Sequence, residues 1–270
     1  MHMAGKVYLE NKPLSGKKIL VTRSRAQAGD FIQALEELGA EVVEFPTIKI
    51  LPPEDFKALD DAIADLRRYN WIIFTSVNGV SFFMERFYHK GKDVRELKGI
   101  KIAAIGPATG RELKRWGLTT DYIPREYRAE SIIEGFKGGE VEGTSILIPR
   151  AEKAREILPQ GLRELGASVD VVTAYRTVID DSHVSGVKQI LSRGEIDIIT
   201  FTSSSTVKNF VRLLEGIDLK SMLQKVMVAC IGPITASTTQ DLGLKVDVIA
   251  EEYTIEGLIK AILKKFTRNS

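Results

Sequence analysis

A chain of 270 residues is long enough for two domains with a core each, and 38 basic against 36 acidic side chains leave no charge excess to attract nucleic acid or membrane. The single cysteine, Cys230, excludes an intramolecular disulfide, and its place in an apolar strand pattern predicts a buried, inert thiol in a reducing compartment. No apolar run approaches the roughly 18 residues of a membrane span and no signal-peptide core opens the chain, so a cytoplasmic protein is expected.

Residues 1–16 read as a polar leader. Lys17–Thr22 predicts a strand ending at Arg23, and Ala26–Leu38 a helix with Phe31, Ile32, Leu35 and Leu38 on one face, closed by Gly39. Glu41–Phe45 is a second strand. Pro46–Pro53, extended and bounded by prolines, reads as a linker strand belonging to neither core. A helix over Asp55–Arg68 leads to Trp71–Thr75, a continuous apolar strand of the kind buried in a parallel sheet. Ser76-Val77-Asn78-Gly79 then opens a helix. Lys101–Gly106 is the next strand, followed by a Gly-Pro turn, a helix to Trp116 and a short strand, Asp121–Ile123. Ser131 is placed as the cap of a helix through Phe136. Ser145–Pro149 with Arg150, a helix to Leu165-Gly166 and the strand Ser168–Tyr175 follow, and the chain stays extended through Arg176–Ile179.

The remainder repeats these words. Asp197–Ser203 matches Asn70–Ser76, Val226–Pro233 matches Lys101–Pro107, Glu252-Tyr253 matches Glu126-Tyr127, and Ile19–Gly39 matches Ile146–Gly166. Four half-repeats therefore run A, B, A′, B′. Contiguous AB and A′B′ domains would each hold an extended stretch in their own middle. Pairing A with B′ and B with A′ instead makes both stretches crossings between domains. The expected organisation is a split α/β domain of residues 17–44 plus 180–270, a continuous one of 52–171, and linker strands over 45–51 and 172–179 acting as a hinge. Each domain is expected to be a five-stranded parallel sheet with helices on both faces, flavodoxin-like.

In such sheets the ligand crevice lies beyond the carboxyl ends of the strands. That rule places Arg23, Ser203, Ser204, Gly232 and Thr235 at one mouth and Ser76, Asn78, Gly79, Gly106, Thr109 and Arg150 at the other. Gly followed by Pro at a helix start lets backbone come close to a neighbour and leaves orphan N–H groups that favour anions. A cleft of hydroxyls, helix-start N–H groups and a few arginines suits a flexible polycarboxylate or phosphate. Thr109, Thr235, Ser76 and Ser203 fit a helix cap as well as a ligand contact, and Arg23 and Arg150 fit a surface charge as well as a ligand partner. Only His2, His89 and His183 are available, none at metal-ligand spacing, so zinc and Ser-His chemistries lack parts. No G-x-G-x-x-G or Walker A motif is present.

Phe74-Thr75-Ser76 with Asn78-Gly79, Ile105-Gly106-Pro107 with Thr109, Ile148-Pro149-Arg150, Ala174-Tyr175-Arg176-Thr177, Phe201-Thr202-Ser203 and Ile231-Gly232-Pro233 with Thr235 together resemble the uroporphyrinogen-III synthase family, from about Gly16 to the carboxyl end. The resemblance implies dehydrative closure of hydroxymethylbilane to uroporphyrinogen III in an interdomain cleft, with inversion of the last ring through a spirocyclic intermediate. It also implies a monomer that needs no metal and no organic cofactor. By position, the family's functional tyrosine falls on Tyr175, and its substrate-facing hydroxyls on Ser76, Thr109, Ser203 and Thr235. Some members carry Arg or Lys where this chain has Asn78 or Met227, so a charged contact there does not transfer. Loss of a hydroxyl from an electron-rich pyrrole needs a hydrogen-bond donor, and a phenol supplies one while neutral. Tyr175 also fits a half-buried aromatic at a strand end. Lys6–Ser15 resembles the junction of fusions behind a tetrapyrrole methyltransferase, which makes that enzyme or hydroxymethylbilane synthase an expected associate. The competing reading is a hinged two-domain binding module without catalysis.

Overall fold

Short strands of β-branched and aromatic residues alternate with helices that carry one apolar stripe, and the chain folds accordingly. The structure, a computed structural model, describes residues 12–267. In order it runs β1 (Lys18–Val21), α1 (Arg25–Glu37), β2 (Glu41–Glu44), β3 (Ile48–Leu51), α2 (Lys57–Ala64), β4 (Trp71–Phe74), α3 (Val77–His89), β5 (Lys101–Ala104), α4 (Pro107–Arg115) and α5 (Ala129–Gly135). It continues with β6 (Ser145–Ala151), α6 (Ile157–Glu164), β7 (Ser168–Ile179), α7 (Val184–Ser192), β8 (Ile198–Phe201), α8 (Ser204–Leu213), α9 (Leu219–Met222), β9 (Met227–Cys230), α10 (Pro233–Asp241), β10 (Val248–Ile249) and α11 (Ile255–Thr267).

Packing divides the chain into two units. One holds the described residues up to Lys49 and those from Val178 onward; the other is Ile50–Thr177. The chain passes between them inside β3 and inside β7. In the first unit the sheet order is β10-β9-β8-β1-β2, with every neighbour parallel. All four residues of β8 are buried, because helices cover both faces of a parallel sheet. Phe201 meets Phe210 edge-on at 5.2 Å, and Phe210 meets Phe45 at 5.9 Å, on one face. Ile198 packs with Phe31, Leu35, Leu258 and Ile262 on the other.

The second unit orders its strands β3-β7-β6-β4-β5, with β7, β6, β4 and β5 parallel. Two expectations are corrected here. Ile48–Leu51, read as a linker in neither core, is a half-buried strand beside β7 at the sheet's edge. An edge is where a strand flanked by prolines is tolerated, since Pro46, Pro52 and Pro53 cannot donate to a ladder. Asp121–Ile123, expected as the fifth strand, contributes one parallel bridge, Ala103 with Tyr122. Pro124 stops it there, and the Tyr122 ring turns onto Phe136 at 5.0 Å.

Smaller departures have local causes. The helix read over Asp55–Arg68 breaks at Asp65 (φ −114°, ψ 45°) into α2 and a 3-10 turn, Leu66–Arg68. Ser131 does not cap: the capping position is extended Arg128, and Ser131 lies inside α5, its N–H bonded to Arg128 O at 3.2 Å. Ala129 and Glu130 are good helix formers, so the helix starts before the serine. The leader and the junction segment fall outside the described residues up to position 11, as does His2. Leu14, read as leader, is fully buried with the α1 face and donates its N–H to Leu38 O at 3.0 Å.

The duplication is also written in hydrogen bonds. Side chains at the strands' amino ends accept the opening N–H of a neighbour: Asn70 Oδ1 from Ser145 (2.9 Å) and, at the matching place, Asp197 Oδ2 from Lys18 (2.8 Å). Asp121 Oδ2 accepts from Ile102 (2.7 Å) and Asp247 Oδ2 from Val228 (2.8 Å). Such an acceptor fixes where a ladder starts. Asp247→Ala should lower stability by about 1–2 kcal/mol, the cost of an N–H left without its partner. Urea unfolding should show a lower midpoint at unchanged slope, with Asp247→Asn closer to wild type than the alanine variant.

Candidate functional site

Parallel pairing brings the carboxyl ends of β4, β5, β6 and β7 to one edge of the second unit. Ser76, two residues beyond β4, caps α3: its Oγ accepts the Gly79 N–H at 2.9 Å. The same Oγ lies 3.1 Å from the Tyr175 hydroxyl, and either oxygen can be the donor. Tyr175 comes from β7 and reaches past β6 to make this contact. Its ring is buried (8% exposed) and stacked on Phe82 at 5.8 Å between centroids. Gly79 is needed at the helix start because a Cβ there would sit 3.0 Å from Pro149 O. Asn78 beside it is half-buried.

Arg150 is at the end of β6 as expected from sequence, but its charge is engaged locally. It is buried, donates from Nη1 to Arg155 O at 2.8 Å, and forms an ion pair from Nη2 with Glu156. Thr109 and Thr235 sit buried in the first turns of α4 and α10. Gly106 and Gly232, which precede those helices, have extended backbones (φ −171° and −176°) that any residue adopts. What crowds a side chain there is a ring: a Cβ on Gly106 would lie 3.1 Å from Tyr127 Cγ, and one on Gly232 3.1 Å from Tyr253 Cδ1.

The matching edge of the first unit holds a cleft of about 210 Å³ lined by Arg23, Ser24, Thr47, Thr202, Ser203 and Asn209, among others. Arg23 Nε is buried without a hydrogen-bond partner, and burial pulls the guanidinium below its ordinary value. Among the described residues no carboxylate lines the cleft. A desolvated cation among hydroxyls and amides is matched to an anion brought from outside. Ser203 caps α8 by accepting the Thr206 N–H at 3.2 Å and contacts the hydroxyls of Thr206 and Ser205. Ser204 instead ties α8 to α10, donating to Ile234 O at 3.3 Å and accepting from Thr238 Oγ1 at 2.8 Å.

Ser76 with Tyr175, Asn78 and Gly79 is thus one assembled group; Arg23 with Ser203 is another, in the other unit. Sequence reading missed Phe82 under Tyr175 and the polar set Ser24, Thr47 and Asn209 around Arg23. Thr47 belongs to the stretch read as linker, and Phe82 resembles any core position of α3. Among the described residues no group of three or more His, Cys, Asp or Glu is placed to hold a metal ion, and no helix is long and apolar enough to cross a membrane.

Cys230 is fully buried, and desolvation raises its thiol above the ordinary value, partly offset by Thr239 Oγ1 at 3.4 Å. A raised value leaves less thiolate at any given pH. The native protein should resist a thiol-specific disulfide reagent at pH 8 and react with one equivalent once unfolded in guanidinium.

The family model described as uroporphyrinogen-III synthase HemD matches residues 29–260. A uroporphyrinogen-III synthase of Synechococcus elongatus is 37% identical over 94% of this chain and 97% of its own length. A porphyrin biosynthesis protein HemD of Ruminiclostridium josui is 35% identical over 94% of this chain, which spans 49% of that longer protein. In structure, a mutant uroporphyrinogen III synthase from Thermus thermophilus superimposes with a TM-score of 0.62 at 20% identity, covering 94% of this chain and all of the other.

Proposed function

The chain belongs to the uroporphyrinogen-III synthase family, and from that premise we propose how it closes hydroxymethylbilane to uroporphyrinogen III. The observation that carries the reading is the chain of contacts from the Gly79 N–H to Ser76 Oγ (2.9 Å) and on to the Tyr175 hydroxyl (3.1 Å). With one lone pair of Ser76 taken by that N–H, its own proton is free to point at the Tyr175 oxygen. Tyr175 then directs its proton outward, to the departing hydroxyl of the substrate.

Departure of that oxygen leaves a cation spread over the terminal pyrrole, and the donor's work is to stabilise the leaving group as the bond breaks. The hydrogen bonds in series polarise one another, so the α3 N-terminus acts on the phenol through the serine. In the spirocyclic route the cationic carbon bonds to the substituted carbon of the last ring, that ring's original bond to its neighbouring methylene breaks, and the methylene re-bonds at the ring's free carbon with loss of its proton. The remaining task is positioning, which needs no metal and no organic cofactor. Arg23 is the proposed carboxylate contact in the first unit, supported by its unpartnered Nε. Ser203, Ser204, Gly232 and Thr235 there, and Asn78, Gly79, Gly106, Thr109 and Arg150 in the other unit, are the proposed binding set. A flavodoxin-like fold for the units is supported by the first unit's strand order, which reads 2-1-3-4-5 when its strands are numbered within the unit. Residues 45–51 and 172–179, where the chain passes from one unit to the other, are the proposed linker.

Incubation with freshly prepared hydroxymethylbilane should give the inverted isomer on chromatography of the oxidised products, against the uninverted isomer formed spontaneously. Tyr175→Phe should lower kcat by roughly a hundredfold or more while circular dichroism stays native, and Ser76→Ala should lower it by a smaller factor. Wild-type kcat in Tyr175→Phe removes the phenol from the mechanism.

A further inference from the structure

Two exposed tyrosines occupy the same place in the duplicated fold. Tyr127 and Tyr253 each follow a glutamate in the matching Glu-Tyr pairs, and their side chains are 64% and 66% exposed. Neither is loose on the surface. Each ring lies against a glycine whose backbone conformation asks for no glycine, so Gly106 and Gly232 keep room for the ring. One side of each phenol is seated against backbone, leaving most of the side chain in water. The glycine contact fixes where each ring is presented, and most of the ring stays uncovered.

Strand register places both rings. Ala104 of β5 pairs with Phe74 of β4, so Gly106 and Ser76 stand side by side, each two residues beyond its strand. Tyr127, seated on Gly106, is thereby on the sheet edge that carries Ser76. In the first unit Cys230 of β9 pairs with Phe201 of β8, which puts Gly232, under Tyr253, next to Ser203. Ile234, in the first turn of α10, is 79% exposed and adds apolar surface there. Both rings border the groups assigned to substrate binding, and the substrate is a string of planar, electron-rich pyrroles.

We propose that Tyr127 and Tyr253 are substrate-positioning residues, each presenting a phenol face on which one pyrrole ring of hydroxymethylbilane stacks. The inference rests on the synthase reading above. Offset stacking of this kind needs the ring and not the hydroxyl. It supplies orientation without competing for the carboxylates that the arginine and helix starts attract. It also holds a pyrrole against free rotation, which favours the inverted closure over the spontaneous one.

The test uses the 270-residue chain and fresh hydroxymethylbilane. Tyr127→Ala and Tyr253→Ala should each raise KM roughly five- to tenfold and raise the share of uninverted product at low substrate, the double variant more than either. Tyr127→Phe and Tyr253→Phe should recover most of what alanine loses. Tyr88→Ala, which removes a part-exposed tyrosine stacked on Trp116 of the same unit, should leave KM and isomer share at wild-type values. Alanine variants with wild-type KM and isomer ratio overturn the proposal, as do phenylalanine variants as impaired as alanine. Variants that only lower the melting temperature, with KM unmoved, also overturn it. An inactive wild-type protein instead overturns the synthase reading, so the two failures are distinguishable.

Discussion

Parallel pairing of strands buried on both faces is the constraint from which the rest of this structure follows. A parallel ladder sends every strand the same way, so all strand-to-helix turns of a unit gather on one edge of its sheet. The helix N-termini that begin there leave backbone donors unpaired, and serine at the turn is the cheapest way to satisfy one of them. Ser76 and Ser203 are that solution at equivalent points, with φ of −165° and −166°. Their chemistry is secondary to their capping role, and it grows out of it.

The duplication shows how one such turn was specialised. Ser203 shares its oxygen with neighbouring hydroxyls of α8, so its bonds close on themselves. Ser76 has the Tyr175 hydroxyl there instead, supplied by a strand that runs on past the sheet. The first unit compensates differently: the end of β1 carries Arg23, buried enough to be unpaired, where the matching Arg150 at the end of β6 is neutralised by Glu156. The two units therefore differ at equivalent edges, one holding a phenol in contact with its capping serine and the other a guanidinium with an unpartnered Nε. Neither feature survives if the repeats are treated as identical.

Much of this was legible in the amino-acid sequence, for reasons that can be stated residue by residue. Runs such as Trp71–Phe74 and Ile198–Phe201 are apolar at every position, which only a sheet covered on both faces tolerates, and two five-stranded sheets follow from them. Ser76 and Ser203 were readable as caps because each ends such a run. What could not be read is what depends on distant pairing. The Ser76–Tyr175 contact joins positions 99 apart, and no local pattern encodes 3.1 Å. Ile48–Leu51 looks the same whether it crosses open solvent or closes an edge, since prolines forbid neither. Leu14 was hidden by its polar neighbours, and Ser131 misled because serine resembles a cap wherever a helix is near. Arg150 stood at the right strand end, yet the acid that engages it comes from its own loop, which strand-end logic does not see.

The direction of the hydrogen bonds at Ser76 decides whether Tyr175 gives or receives. If the phenol donated to the serine, its proton would point into the protein and its oxygen alone would face a ligand. The Gly79 N–H argues against that arrangement. An amide at a helix start draws electron density from Oγ, which weakens the oxygen as an acceptor for a second donor and strengthens its own O–H as a donor. In the proposed mechanism the phenol receives from the serine and becomes a better donor itself, with Phe82 stacked on its ring. A capping bond present in thousands of helices thus gains a chemical consequence here through the identity of one neighbour.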